Sequence, residues 1–333
     1  MQQLDTKDHR KSIQPLVSIV VPTRNAASNI ADCLASIQAS SYHPFEIIVV
    51  DGLSCDGTAE IARDMGVRVI EGKAGGRASD CNLGIVEARG EIIVLTDDDC
   101  VVDEHWLERI VECFSDPRVG ISGGPDLTYL PGTTNVGLAA GYIHYFYRSL
   151  ASETGTDAVI GCNSAYRKKA LAEVGGFDEG YPGAEDTSLH RRIMDMGYTM
   201  RPHRQAIVYH KRRADFRTLV KRYWTYGWHM GLAHRRNPRA FKERIKHIYA
   251  LLGGLLALLL LVAASVIFPA VAWSFLGLAV IYLIFQGWLY RKIARETGFR
   301  SPFLLFLISS TVCMLFFGLA FTREQVLPGR KKR

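Results

Sequence analysis

The sequence predicts an α/β fold with a mostly parallel sheet, followed by C-terminal transmembrane helices. Short apolar runs alternate with amphipathic helical segments between residues 17 and 212, and this alternation favours right-handed crossovers and parallel strands. Two later runs, 248–290 and 301–322, contain no charged residue. A helix needs about 20 apolar residues to cross a bilayer. We therefore expect three membrane spans, at about 248–267, 271–290 and 303–321. A re-entrant or interfacial last run is the alternative, because a third crossing would place the basic tail outside.

The first half of the globular part consists of strands separated by short helices. Apolar runs predict strands at residues 17–21, 45–50, 67–70 and 92–96. An apolar stripe predicts the first helix, with Ile30, Cys33, Leu34 and Ile37 on its buried face. Asp56 or Thr58 can cap the second helix, which Gly66 ends. The third helix opens in the glycine-rich segment 75–84 and ends at Gly90.

The second half of the globular part is less regular. We expect a short strand at 119–124, a helix at 137–150 and a strand at 159–166. Glu185 and Asp186 then open another helix, which Gly197 stops. Carboxylates in a first helical turn also interact favourably with the helix dipole, so a purely structural role for this pair stays open.

Polar side chains follow three of the predicted strands at the point where each strand ends. They are Thr23 and Asn25, then Asp51 and Ser54, then Asp97, Asp98 and Asp99. Ligands of open parallel sheets bind at the carboxyl ends of the strands. We therefore expect these side chains to converge on one ligand site.

The three adjacent aspartates have the strongest chemical signature. Adjacent carboxylates repel one another and favour a compensating cation. Side chains alternate along an extended segment, so we expect Asp97 and Asp99 to point one way and Asp98 the other. Mg²⁺ or Mn²⁺ suits such carboxylates and leaves positions for phosphate oxygens. The alternative is an acidic turn that caps a helix beginning near Asp103.

Charge and cysteine usage restrict the partners. Between Arg201 and His247 there are 14 Lys/Arg residues against two acids, and aromatic residues lie among them. This segment directly precedes the apolar run, so we expect it to contact an anionic membrane surface, with a solvated face or nucleic acid as weaker alternatives.

The seven cysteines form no CxxC pair, which indicates neither a disulfide framework nor a zinc site. The polar N-terminus lacks a signal peptide, which predicts a catalytic domain facing the cytoplasm.

Several motifs together resemble family 2 glycosyltransferases with the GT-A (Rossmann-like) fold. In order they are VSIVVPTRN, VVDGLSCDGT, the segment holding Arg77, Asn82 and Gly84, LTDDDC, GGFDE followed by GAEDTSLHRR, and His210. The segment KRYWTYGWHMG at 221–231 and the apolar C-terminal part further resemble membrane-associated members that build polysaccharides, succinoglycan-type glucosyltransferases among them. The resemblance covers residues 17–210.

The resemblance implies a nucleotide-sugar site. Pro22, Thr23 and Asn25 would line the nucleotide pocket, although Ala26 stands where the family often has an acid. Asp51 resembles the residue that binds the base, commonly uracil, and Arg77 is similar to a basic residue near the base or diphosphate.

The resemblance also implies metal and catalytic residues. Asp97 and Asp99 correspond to the DxD pair, with Asp99 as the direct metal ligand, and His210 resembles a histidine that completes this site. A packed histidine is the alternative for His210. Asp186 corresponds to the general base, with Glu185 beside it. An inverting transfer from a UDP-linked sugar to a lipid-linked or other glycan acceptor follows, with Mg²⁺ or Mn²⁺ as cofactor and no nucleic acid partner.

Three alternatives stay open at this point. They are a polyprenyl-phosphate sugar synthase, a processive synthase, and a non-catalytic nucleotide-sugar-binding membrane protein. The processive type usually carries QxxRW, of which residues 219–223 keep only the Arg and an aromatic. Basic residues before and between the spans predict a multi-pass protein of the cytoplasmic membrane. The resulting organisation is a tail (1–16), the GT-A domain (17–212), an interface segment (213–247), the membrane domain (248–322) and a basic tail (323–333).

Overall fold

The protein is an α/β molecule built on one large sheet. The computed structural model describes residues 14–73, 75–129, 131, 133–141, 159–180, 183, 185–211, 215–236, 269–297 and 303–326. Seven strands form the large sheet, and in chain order they are β1 (Val17–Thr23), β2 (Phe45–Asp51), β3 (Arg68–Glu71), β4 (Ile92–Thr96), β6 (Val119–Gly123), β8 (Asn163–Arg167) and β9 (Thr199–Pro202). Three strands form a second sheet: β5 (Cys100–Val102), β7 (Asp126–Thr128) and β10 (Val208–His210).

The large sheet has the order β3-β2-β1-β4-β8-β6-β9. The strands β3, β2, β1 and β4 run parallel, whereas β8 is antiparallel to both β4 and β6. The prediction of a mostly parallel sheet is therefore confirmed. The parallel register also aligns the strand ends, because Thr23 of β1 pairs with Asp51 of β2.

Nine labelled helices lie within the part of the chain that the structure describes. They are α1 (Ile30–Gln38), α2 (Thr58–Asp64), α3 (Arg77–Glu87), α4 (Trp106–Cys113), α5 (Lys168–Val174), α6 (Glu185–Asp195), α7 (Phe216–Arg236), α8 (Pro269–Thr297) and α9 (Phe303–Val326). The helix predicted at 137–150 corresponds to a helical stretch at 135–141, and its remainder lies outside the described residues.

Apolar side chains pack on both faces of the large sheet. Along β1, Ile19 and Val21 belong to one buried cluster and Val20 to the other, as the strand period of two requires. On the second face, Gly84 lets α3 approach the sheet closely, because an added Cβ would lie 2.3 Å from a methyl carbon of Val20.

Several element boundaries differ from the prediction by a few residues, and two of these differences have a clear local cause. The first strand continues through Pro22 to Thr23, because the ring of Pro22 removes a donor but does not prevent its pairing with Val50. The strand predicted from residue 159 begins only at Asn163, because a tight turn closed by Asn163 N–H and Ile160 C=O precedes it.

The C-terminal described helices include a closely packed pair. An added Cβ on Gly227 of α7 would lie 2.1 Å from the carbonyl oxygen of Phe317 on α9, and Trp224 stacks edge-on against Phe316. The predicted spans 271–290 and 303–321 fall within α8 and α9, whereas 248–267 lies outside the described residues. None of the described helices is both long enough and apolar enough to cross a membrane.

Candidate functional site

A cavity of about 580 Å³ opens at the carboxyl ends of the central strands. Most of the side chains predicted to form the site line this cavity. They are Pro22, Thr23, Arg77, Asp97, Asp98, Asp99 and His210. The convergence follows from the topology, because β1 and β4 are parallel neighbours and β10 pairs with the strand that follows the aspartates.

The three aspartates occupy a turn that links the two sheets. The strand β4 ends at Thr96, and the N–H of Cys100 donates to the carbonyl oxygen of Asp97, closing the turn. The alternation expected for these side chains assumed an extended segment, and the structure has a turn there instead. All three aspartates line the same cavity, and their side chains contact three different partners.

Arg77 is the partner of Asp97. Its Nη2 lies 2.8 Å from Asp97 Oδ1, and its Nη1 lies 3.2 Å from Glu185 Oε1. The same Nη2 donates to the carbonyl oxygen of Gly161 at 3.0 Å. Burial opposes the charged form, but Asp97 and Glu185 together hold the pKa of Arg77 well above its ordinary value. The guanidinium is therefore a fixed positive charge in the wall of the cavity.

Asp98 and Asp99 contact residues of two different strands, β1 and β10. The hydroxyl of Thr23 donates to Asp98 Oδ2 at 2.7 Å, and burial raises the pKa of this carboxyl to about 6. His210 Nε2 lies 2.9 Å from Asp99 Oδ2. Because the backbone N–H of Lys211 also donates to the Asp99 carbonyl, the end of β10 is anchored to the acidic turn.

The predicted acidic pair is connected to the aspartates through Arg77, and neither Glu185 nor Asp186 is among the residues that line the cavity. Glu185 reaches Asp97 through Arg77, and burial raises its pKa even though Arg77 opposes the shift. Asp186 accepts backbone N–H groups from Gly161 at 3.1 Å and from Thr187 at 2.7 Å. Gly161 therefore connects Asp186 with Arg77, because its N–H donates to Asp186 and its C=O accepts from Arg77.

Three predicted donor-site residues lie beside the cavity and do not line it in the described part of the chain. Asn25, which has a positive φ of 55°, accepts the N–H of Cys55 on its side-chain oxygen and donates its own N–H to Ser54 Oγ. The N–H of Ser54 in turn faces both carboxylate oxygens of the buried Asp51. These groups fix the loop after β2, and its Gly52 is the residue that reaches the cavity.

The sequence prediction missed two sets of cavity residues. One set lies near the predicted strand ends and α3, and comprises Arg24, Gly52, Lys73, Gly76 and Asp80. The rule that selected Thr23 and Asp51 could have found Arg24 and Lys73, which follow β1 and β3. The other set lies on one face of α7, and comprises Thr218, Lys221, Arg222, Thr225 and Tyr226. These residues are spaced three or four apart in the sequence, which places them on one face of a helix. That face was predicted to contact a membrane and was therefore not considered as part of the site.

Comparison with known proteins gives relatives over most of this region. Residues 18–175 match the model for glycosyl transferase family 2. Glycosyltransferase AglE of Haloferax volcanii is 29% identical over 225 residues, which cover 65% of this chain and 73% of AglE. The O-antigen chain rhamnosyltransferase RfbN of Salmonella typhimurium is 26% identical over 224 residues, covering 63% and 71% of the two chains.

A solved structure has the same fold. The mannosyltransferase PcManGT from Pyrobaculum calidifontis, determined in complex with GDP-Man and Mn²⁺, aligns with a TM-score of 0.60 and 24% sequence identity. The alignment covers 91% of this chain and 88% of PcManGT. The predicted GT-A architecture of the globular part is thereby confirmed.

Proposed function

Because the chain carries a family 2 glycosyltransferase domain, we propose that it is a metal-dependent, inverting glycosyltransferase. Its donor is a nucleotide-diphosphate sugar, and its acceptor is a membrane-associated, lipid-linked glycan. The observation that carries this proposal is the convergence of Arg77, the three aspartates at 97–99 and His210 on one cavity. This arrangement provides groups for a cation, a diphosphate and a sugar within one space.

The residues of the acidic turn fit a hard divalent cation. Asp99 and His210 present a carboxylate oxygen and a ring nitrogen 2.9 Å apart, and Asp97 lines the same cavity. Mg²⁺ and Mn²⁺ accept such oxygen-rich sets and keep positions for phosphate oxygens. The solved mannosyltransferase of the same fold holds Mn²⁺ with GDP-Man. A bound ion would neutralise negative charge on the departing nucleotide diphosphate.

Arg77 supports departure of the nucleotide. Its guanidinium is held by Asp97, Glu185 and the carbonyl of Gly161, so it cannot swing away from the cavity without breaking several hydrogen bonds. A preorganised cation stabilises developing negative charge without reorganisation during the reaction. We therefore assign Glu185 the role of positioning Arg77, instead of the catalytic role expected for it together with Asp186.

Asp186 is the general base in this proposal. Two backbone N–H groups, those of Gly161 and Thr187, fix its carboxylate. An ionised carboxylate held in this position can take a proton from an acceptor hydroxyl. An acceptor hydroxyl needs such a base near neutral pH. Because a single base supports one direct displacement, the anomeric configuration inverts.

The C-terminal helices support a membrane-associated acceptor. On α8, large apolar side chains are exposed to solvent at consecutive positions, with Ile281 63% and Ile284 66% exposed. Exposed apolar patches of this kind mark interaction surfaces, including membrane surfaces. Lys221 and Arg222 of α7 line the cavity, where they would attract the phosphate groups of a lipid-linked substrate. We accordingly place the protein at the cytoplasmic membrane with its catalytic domain in the cytoplasm.

The same cations favour a second candidate, a polyprenyl-phosphate sugar synthase. In that reaction the lipid phosphate itself attacks the sugar, and Lys221 and Arg222 would bind it. An ionised phosphate needs no general base, however, so Asp186 would have no catalytic part. Reactions with free polyprenyl phosphate and with a lipid-linked sugar separate these candidates.

The proposal is tested by a screen of UDP- and GDP-linked sugars for donor hydrolysis in the presence of Mn²⁺. We expect at least one donor to be hydrolysed, and chelation to abolish the activity. Asp99→Asn should weaken nucleotide binding with Mn²⁺ in calorimetry, whereas Asp116→Asn at an exposed ion pair serves as the control. Unchanged affinity in Asp99→Asn would contradict the metal assignment, and no hydrolysis of any donor would contradict the enzyme assignment.

A further inference from the structure

Two buried cysteines and His210 form a cluster next to the acidic turn. The side chains of Cys100 and Cys162 are 0% and 6% exposed. Their sulfur atoms and a ring nitrogen of His210 all lie within 4.8 Å of one another. The three residues come from positions more than 45 apart in the chain, so tertiary structure alone brings them together.

The second sheet explains this arrangement. In the antiparallel pair of β5 and β10, His210 is the direct partner of Cys100. Directly opposed residues of an antiparallel pair have side chains on the same face, with Cβ atoms about 4.5–5.5 Å apart. Cys162 reaches them from the turn that precedes β8.

A buried carboxylate completes the surroundings of the cluster. Asp126 begins β7, the other neighbour of β10, and its side chain is 1% exposed. Its Oδ2 lies 3.8 Å from His210 Nδ1, on the opposite ring edge from the Nε2 that faces Asp99. A carboxylate and ionisable thiols so deeply buried are costly when charged unless a cation compensates them.

We propose that Cys100, Cys162 and His210 bind a soft divalent metal ion of the zinc class. Two thiolates and one imidazole match the ligand types of zinc sites, and a water molecule can take the fourth position. Asp126 supports this set electrostatically from beside the ring of His210. Thiolate ligands select zinc over Mg²⁺ and Mn²⁺, which prefer oxygen. The ligand types of this site therefore differ from those of the oxygen-rich turn at 97–99, and His210, which has two ring nitrogens, is shared by the two sites.

Such an ion would cross-link three segments around the active site. It would tie β5, which directly follows the aspartates, to β10 and to the turn before β8. The same turn contains Gly161, which contacts both Arg77 and Asp186. Metal binding therefore stabilises the positions of His210 and Gly161, and we expect a lower Tm after its removal. The proposal does not depend on which sugar the enzyme transfers.

A direct test uses Co²⁺ as a spectroscopic probe of thiolate ligation in the full-length protein. The protein is purified under reducing conditions, stripped with chelator and titrated with Co²⁺. We expect a sulfur-to-cobalt charge-transfer band that saturates at about one equivalent and disappears when Zn²⁺ is added. A carboxylate site at residues 97–99 has no sulfur ligand and cannot produce this band.

Matched variants locate the site. Cys100→Ser and Cys162→Ser should each lose the band, whereas Cys113→Ser, a buried cysteine of α4, should keep it. Asp99→Asn should also keep it, which separates this site from the proposed Mn²⁺ site. Asp126→Asn leaves the thiols intact and should weaken Co²⁺ binding by about 10-fold or more. Circular dichroism confirms that each variant is folded.

Three results would overturn the proposal. One is the absence of a charge-transfer band in the reduced wild-type protein. Another is a band that survives in folded Cys100→Ser. The third is an intact mass and peptide map showing a Cys100–Cys162 disulfide in protein purified without added oxidant or reductant, with no bound zinc detected by elemental analysis.

Discussion

Arg77 Nη2 lies 2.8 Å from Asp97 Oδ1, and this ion pair connects the acidic turn to the rest of the proposed active site. The same guanidinium also binds Glu185 and the backbone of Gly161. One arginine therefore links β4, α6 and the turn before β8. The first prediction tests this central position.

Arg77→Lys should reduce kcat/KM for donor hydrolysis by about 10²-fold, a typical effect of removing one preorganised donor from an active site. Lysine keeps the charge but lacks the planar fork that reaches two carboxylates at once. Steady-state kinetics checks the result. Arg118→Lys, at an ion pair with Asp116 whose arginine is 79% exposed, is the control and should be close to wild type. Similar rates in both variants would remove Arg77 from the mechanism.

Asp186→Asn should retain nucleotide binding and lose sugar transfer by about 10²–10⁴-fold, the usual contribution of a general base. The amide can keep the hydrogen bond from one backbone N–H but cannot take a proton. Calorimetry with nucleotide and a transfer assay measure the two effects separately. Asp195→Asn, at the other end of α6, changes the same group in an exposed position and should transfer normally. Turnover near wild type in Asp186→Asn would show that another group is the base.

Lys221→Ala and Arg222→Ala should each raise the KM for a phosphate-bearing substrate by about tenfold or more, because each would lose a charge-assisted contact. Both side chains line the cavity from α7. Varying donor and acceptor concentrations separately shows which substrate each cation binds. Arg217→Ala removes a charge from the same helix at an exposed position outside the cavity lining. An equal effect of Arg217→Ala would indicate general electrostatic attraction instead of a specific contact.

Gly227→Ala should destabilise the pairing of α7 with α9 by about 1–3 kcal/mol, the usual cost of overpacking. The added Cβ would lie 2.1 Å from the Phe317 carbonyl oxygen, and a backbone atom cannot move aside easily. Gly277→Ala on α8 is the matched control, because its Cβ would meet nothing within 4 Å. Thermal unfolding of the two variants in the same detergent or buffer compares them. Equal Tm values would show that the two helices do not pack at Gly227.

The sequence predicted the order of the central elements well because their determinants are local. Strand β4 was predicted at 92–96 and is found there, since an uninterrupted apolar run forms a strand buried on both faces. The end of β4 was therefore placed correctly, and the end of β1 within two residues, which was enough to predict that Thr23 and the aspartates converge on one cavity. The expected alternation of Asp98 with Asp97 and Asp99 assumed that the chain stays extended beyond Thr96, whereas a turn follows β4.

Long-range packing could not be obtained from local patterns. The basic and aromatic segment between Arg201 and His247 was predicted to contact a membrane, and this prediction did not include that Lys221 and Tyr226 of α7 line the cavity. An amphipathic pattern shows which side chains share a helix face, but it does not show whether that face packs on a protein cavity or on a membrane. Asn25 and Asp51 were similarly selected as ligands from their place after strands, whereas their polar atoms bind the loop at residues 54–55.

The sequence by itself determined the α/β order of the chain, the acidic turn and the motifs of the family, because these depend on neighbours in the chain and on strand period. Only the tertiary structure decided which distant side chains meet. Cys100 and Cys162 lack zinc-type spacing, and yet they approach His210 through the pairing of β5 with β10 and the turn before β8. The physical reason is that a binding site depends on distances in space, which strand pairing and core packing set over separations that no local sequence pattern encodes.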